Sequence, residues 1–157
     1  MRKVLLASAS LFMIAFSNVA FAQTPRAKSV AIPAADLTST FAGKTYAFKE
    51  KKKHTNIRWY LSADGKMTGY ADDGPSFASG SWTVTDGKLC VSAHWAGSWG
   101  EGDSTDCQAW SRDEQNPKKT YRAELDKGGD FAPLTPQLAD GDTISAKIAA
   151  LKKKTGK

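Results

Sequence analysis

The chain has 157 residues, with 22 Lys and Arg against 16 Asp and Glu, for a formal charge of +6. Its length suits one domain behind a leader. The positive charge is spread as single lysines and short runs, without interleaved stacking aromatics. That pattern excludes a nucleic-acid-binding signature.

Met1–Ala22 reads as a secretory signal peptide. Arg2 and Lys3 form a basic n-region, Val4–Phe16 an apolar h-region, and Ala20-Phe21-Ala22 an A-x-A cleavage site. The apolar run is too short for a transmembrane anchor, which needs about 20 residues. No cysteine stands at the cleavage site, which argues against a lipoprotein anchor. The expected location is the periplasm or exterior of a Gram-negative-type cell. Removing 22 of the 157 residues leaves 135, and the charge falls from +6 to +4 because two basic residues leave with the leader.

Gln23–Ile32 is expected to be a mobile leader, and residues 33–157 a single β-rich domain. Pro33 suits the first turn of a short helix, Pro33–Phe41, with Leu37 and Phe41 on one face and Gly43 at its end. Lys44–Lys49 and Ile57–Leu61 alternate as strands, with Tyr46 and Phe48, then Ile57, Trp59 and Leu61, in phase. Ala63-Asp64-Gly65-Lys66 is a hairpin turn signal. The next strand, Lys66–Tyr70, holds Gly69, which marks a bulge or a close backbone approach. Ala71–Ser79 reads as a loop.

Gly80–Trp110 is the densest stretch, with four of the five tryptophans and both cysteines. It predicts strands Gly80–Asp86 and Lys88–Trp95 around an Asp86-Gly87 turn, then a Gly-rich loop and a strand Asp106–Asp113. Leu89, Val91 and Ala93 share one face, while Cys90, Ser92 and His94 take the other. Cys90 and Cys107 read as one disulfide in an exported chain. A further strand, Thr120–Leu125, puts Tyr121, Ala123 and Leu125 in phase. A last helix, Thr143–Lys153, carries an Ile144, Ile148, Leu151 stripe behind a cap at Asp142 or Thr143. The sum is mainly β: an antiparallel meander forming a lipocalin-like small barrel or half-barrel, with a short N-terminal and a C-terminal helix.

The tryptophans lead the functional reading, since indole faces stack on sugars or line apolar pockets. Trp59 and Trp82 are in phase with aliphatic neighbours and read as core. Trp95 and Trp99, in a glycine-broken segment, read as ligand-binding, with His94 and Trp110 beside them. Ser92, His94 and Asp103 supply the residue types of a nucleophile triad but lack a strand-turn-helix elbow. His54 and His94 are the two histidines and have no metal-ligand spacing. Asp140-Gly141-Asp142 fails as a calcium loop because Ile144 and Leu151 stand where oxygen ligands are needed. Glu101, Asp103 and Asp106 read as a solvated acidic loop. Lys51–Lys53 and the Lys152–Lys157 tail could meet an anionic surface, although short charge runs are usually solvated.

The series Leu37, Phe41, Gly43-Lys44-Thr45-Tyr46, then Trp59-Tyr60-Leu61-Ser62-Ala63-Asp64-Gly65, Gly80-Ser81-Trp82, Leu89-Cys90 and Cys107 resembles the exported bacterial proteins of domain of unknown function 995. The resemblance spans Ala34 to Leu125. It implies export, the cysteine pair and a β-rich fold, and it implies no activity, cofactor or ligand. The expectation is a non-enzymatic periplasmic protein, without cofactor or metal, that binds a small apolar or sugar ligand or an envelope component. The alternatives are a structural or interaction protein of the envelope and an envelope hydrolase.

Overall fold

The computed structural model describes residues 29–50, 55–72, 76–85, 87–125 and 129–155. The expected signal peptide, the expected leader up to residue 28, Lys51–His54 and Asp86 lie outside the described residues. Ten strands form one antiparallel sheet. They are β1 (Ser29–Ala31), β2 (Lys44–Glu50), β3 (Thr55–Leu61), β4 (Lys66–Ala71), β5 (Ser76–Thr85), β6 (Lys88–Gly97), β7 (Gly100–Asp113), β8 (Thr120–Glu124), β9 (Ala132–Pro133) and β10 (Gln137–Asp140). Helix α1 (Ala34–Phe41) precedes β2, and α2 (Ser145–Thr155) ends the chain.

The strand order is β10-β2-β3-β4-β5-β6-β7-β8-β9, with β1 beside the end of β7. Strands β9 and β10 thus stand at opposite ends of the path. Yet only residues 134–136 separate them, and four residue steps reach at most about 14 Å. The sheet has to curl until its ends nearly meet, which makes it a half-barrel. Leu134 N–H donates to the Thr120 carbonyl on the β8 side, and Leu138 pairs with Tyr46 on the β2 side.

The concave face is apolar and largely filled. Tyr46, Trp59, Leu61, Trp82, Leu89, Val91 and Trp110 form its core, and α1 closes one end with Leu37 and Phe41. Phe41 and Tyr46 meet edge to face with centroids 5.2 Å apart. The residue pattern forces this arrangement. Alternation in β2, β3 and β6 gives each strand one apolar side, and curling buries those sides together. The convex face is covered in part by α2. Ile144, Ile148 and Leu151 pack on Tyr60, Tyr70 and Phe77, and Lys147 lies 4.4 Å over the Tyr70 ring. Asp142 caps α2, accepting from the backbone N–H groups of Ile144 and Ser145.

Several local expectations change. The Gly-rich loop is absent: Gly97 pairs with Gly100, so Ser98-Trp99 is a two-residue turn and β7 runs from 100. Glu101, Asp103 and Asp106 therefore sit on a strand and not in a loop. Ser76–Ser79 belongs to β5, where it pairs with β4 and in part with β6. Glycines and serines lower strand propensity, but here cross-strand pairing decides. Ser29–Ala31 is a strand and not leader. The pairing of β6 with β7 stops at Lys88 and Ala109, and β1 takes the free edge at Ser111–Asp113. In β8 the inward phase is Thr120, Arg122 and Glu124, because Arg122 faces Trp110 and Glu124 faces Gln108. Of the residues expected in phase with Tyr121, Ala123 is buried and Leu125 is exposed.

Cys90 and Cys107 are bonded directly across β6 and β7, with Cα atoms 4.1 Å apart. Replacing both with serine should cost roughly 3 kcal/mol of stability, by loop-entropy reasoning. Urea unfolding of both proteins reads this; an unchanged midpoint would mean that the hairpin's own ladder already restricts the unfolded chain.

Candidate functional site

Parity along β6 sorts the residues singled out from sequence. Trp95 pairs with Gly102 and Ala78 and lies on the concave face, in phase with Leu89, Val91 and Ala93. Its ring fits because Gly69 has no side chain: a Cβ there would stand 3.2 Å from Trp95 Cη2 and 2.9 Å from Ala78 Cβ. Trp95 Nε1 donates to Ser104 Oγ at 3.1 Å. Trp99, in the hairpin turn, folds back onto Gly97 and Gly102. A Cβ at Gly97 would lie 2.7 Å from Trp99 Nε1, which itself donates to Ser76 Oγ at 2.8 Å. The Trp99 indole stays 59% exposed, so an anchored ring presents a free face. Trp110 is instead walled into the core, with its ring 5.4 Å from that of Phe41.

His94 points the other way. On the convex face of the β6–β7 ribbon, its Nδ1 lies 2.8 Å from Asp103 Oδ1, and its Nε2 lies 3.7 Å from Glu101 Oε2. Ser92 is two residues away on the same face, but its hydroxyl shares a hydrogen bond with Thr105 Oγ1 at 3.1 Å. Both imidazole nitrogens are therefore turned toward carboxylates. The bond to Asp103 raises the His94 pKa above 6.5, the Asp103 and Glu101 charges add to it, and residual desolvation opposes. Among the described residues, no three of His, Cys, Asp and Glu gather to hold a metal ion. No described helix is long and apolar enough to cross a membrane.

A concavity lies elsewhere, at the seam. Strand β10 pairs with β2 only from Lys44 to Ala47, which leaves the Phe48–Glu50 end of β2 without β10 beside it. A cleft of about 630 Å3 opens there. Tyr46, Phe48, Ile57 and Leu134 give it an apolar lining, and Lys49, Arg58 and Arg122 are its charged residues. The rest, Ala47, Asn56, Thr135 and Gln137, are neutral.

Arg122 and Tyr46 form the inner polar wall. Arg122 Nη1 donates to Tyr46 Oη at 2.8 Å, and Nη2 bonds Glu124 Oε1 at 2.9 Å. The guanidinium carbon lies 5.6 Å over the Phe48 ring. Burial pushes the Tyr46 pKa up to about 12 against the opposing pull of Arg122. Tyr46 is thus a neutral phenol whose oxygen accepts from Arg122 and whose hydrogen points elsewhere. Nearby, Trp59 Nε1, Trp110 Nε1 and both amide atoms of Gln108 are buried without hydrogen-bond partners among the described residues.

Sequence reasoning missed Arg122. Flanked by Tyr121 and Ala123, it falls in the polar phase of its own strand, and only the register with Trp110 turns it inward. The spacing of Arg122 and Glu124 was the one available signal, since residues two apart share a strand face.

The architecture is that of a disulfide-bearing antiparallel half-barrel with a lateral cleft. Residues 8–129 match the family model described as Protein of unknown function (DUF995), and the chain belongs to that family. The matched stretch ends before β9, so the seam bridge, β10 and α2 lie beyond it. No curated protein and no solved structure matches the chain.

The His94 geometry fixes a pH response. The folded pKa is raised, so the contact stabilises the folded state fully below pH 6.5 and fades as pH rises through the folded value. In an NMR titration His94 should have a midpoint above 6.5, and Asp103→Asn should lower it. An unmoved midpoint in that variant would assign the shift to other groups.

Proposed function

We propose that this is a non-enzymatic, exported protein that binds a small apolar molecule in the seam cleft. The carrying observation is the cleft itself. Its volume of about 630 Å3 lies within the range of ligand pockets, roughly 300–1,000 Å3. An apolar lining with a few convergent polar groups is the usual composition of such a site. Export rests on Met1–Ala22 and agrees with the formed disulfide, which persists in oxidising compartments. A periplasmic or secreted location is the expectation from the same leader.

A non-enzymatic role agrees with the His94 surroundings. A general base needs a free nitrogen within reach of its nucleophile, whereas His94 faces two carboxylates and Ser92 bonds Thr105. A second reading has one observation in its favour. The exposed, hydrogen-bonded Trp99 ring is a platform on which a sugar could stack.

The two readings separate by mutation. Thr135 is exposed at the cleft wall, so Thr135→Trp should fill the mouth without disturbing the core. An apolar fluorescent probe should bind the wild type and Trp99→Ala alike, and bind Thr135→Trp at least tenfold more weakly, a loss of about 1.4 kcal/mol. If a soluble oligosaccharide binds and Trp99→Ala abolishes it, the hairpin is the site. If neither probe binds, the protein works as an interaction partner of the envelope.

A further inference from the structure

Resting on the cleft reading, we propose that the ligand is a small amphiphile with a single carboxylate head. Among the described residues the charged lining of the cleft is all cationic, with Arg122 on the concave side, Lys49 and Arg58 on the opposite side of β2 and β3, and no Asp or Glu. Three acids that act on these groups lie outside the lining. Glu124 is bonded to Arg122, Asp106 is close enough to Tyr46 to act on its charge, and Asp72 acts similarly on Arg58. They moderate the positive field without offering a carboxylate to a ligand.

The donor geometry favours the same head group. Arg122 uses two of its five N–H donors on Tyr46 and Glu124. A carboxylate has four lone-pair sites and no donor, so it matches a wall of donors, whereas an alcohol brings a hydrogen of its own. Charge-assisted bonds are roughly twice as strong as neutral ones. One negative charge suits this wall better than two, because Glu124 already neutralises part of Arg122. The apolar part of the ligand has Phe48, Ile57 and Leu134 to cover it.

Residues at two depths make this testable. Lys49 is exposed and Arg58 half-buried, and among the described residues neither is in an ion pair, so Lys49→Gln and Arg58→Gln should leave the fold intact. Arg122 is a riskier target because its side chain is 9% exposed and bonded on two sides.

The experiment is calorimetric titration of the full mature protein, disulfide intact, with decanoate, decanol and decyltrimethylammonium below their micelle concentrations. Decanoate should bind about tenfold more tightly than decanol, and the cation should bind least. High salt, or the Lys49→Gln/Arg58→Gln double variant, should shrink that preference, and lowering the pH through the fatty acid's own pKa should remove it. Equal binding of acid and alcohol, or a preference for the cation, would overturn the carboxylate assignment while leaving an apolar binder. Failure of all three probes would overturn the cleft reading itself.

Discussion

The brevity of the link between β9 and β10 governs this molecule. The two strands belong to opposite ends of a nine-strand path, and residues 134–136 are all that joins them. A flat sheet of that width could not satisfy such a tether, since about 14 Å is the most that the link can reach. Right-handed twist supplies part of the curl, and the tether selects how far it goes. Burial of the aromatic face follows from that curl. The tether is also too short a segment to pair along the full seam, so closure stays incomplete beyond Ala47. The same constraint that makes the barrel therefore makes its cleft.

Filling and polarity divide the interior. Near α1 the space is taken by Leu37, Phe41, Leu61 and Trp82, which leave no polar atom in need of a partner apart from Trp82 Nε1, bonded to the Ser62 carbonyl. Toward the seam the composition changes. Gln108, Trp110, Arg122 and Glu124 lie in facing pairs on β7 and β8, and Tyr46 reaches Arg122 from β2. Among the described residues, Gln108 and two indole N–H groups are buried without partners, at a cost on the order of 1–3 kcal/mol for each group. A core selected for stability alone would put side chains without unpaired polar atoms there, as it does under α1. Trp59 and Trp110 lie against Tyr46, which lines the seam cleft, and this placement agrees with a binding role for that end.

What the sequence made legible was whatever local periodicity controls. Alternation placed Tyr46, Trp59, Leu61, Leu89 and Val91 inward, and i, i+4, i+7 spacing placed Ile144, Ile148 and Leu151 on the sheet. Cys90 and Cys107 were legible from their number and the expected compartment. Pairing over distance was not. Glycines at 97, 100 and 102 look like a loop in isolation, yet they serve as room for Trp99 and as a tight turn in a long ribbon. Ser29–Ala31 became a strand because a distant edge was vacant. The site suffered most. His94 and Trp95 are neighbours in sequence and opposite in space, by the period of two, while Arg122 and Tyr46 are far apart in sequence and in hydrogen-bond contact. Half of the site's chemistry thus depended on a register that no single strand encodes.

The anchoring of β10 is unequal, and this sets where the half-barrel can yield. Its far end is held firmly: Thr45 Oγ1 donates to the Gly141 carbonyl, Thr143 N–H donates back to Thr45 Oγ1, and Gly141 N–H reaches the Gly43 carbonyl. Its near end, Gln137, pairs only with Ala47 and leads straight into the tether. Local opening costs least where buried contacts are few and backbone bonds are exposed. That description fits the Leu134–Gln137 side of the seam and not the β5–β6–β7 wall, which is long, continuously paired and cross-linked at Cys90–Cys107. A ligand entering the cleft would therefore displace the tether and the first residue of β10, and leave the aromatic core and the disulfide ribbon where they stand.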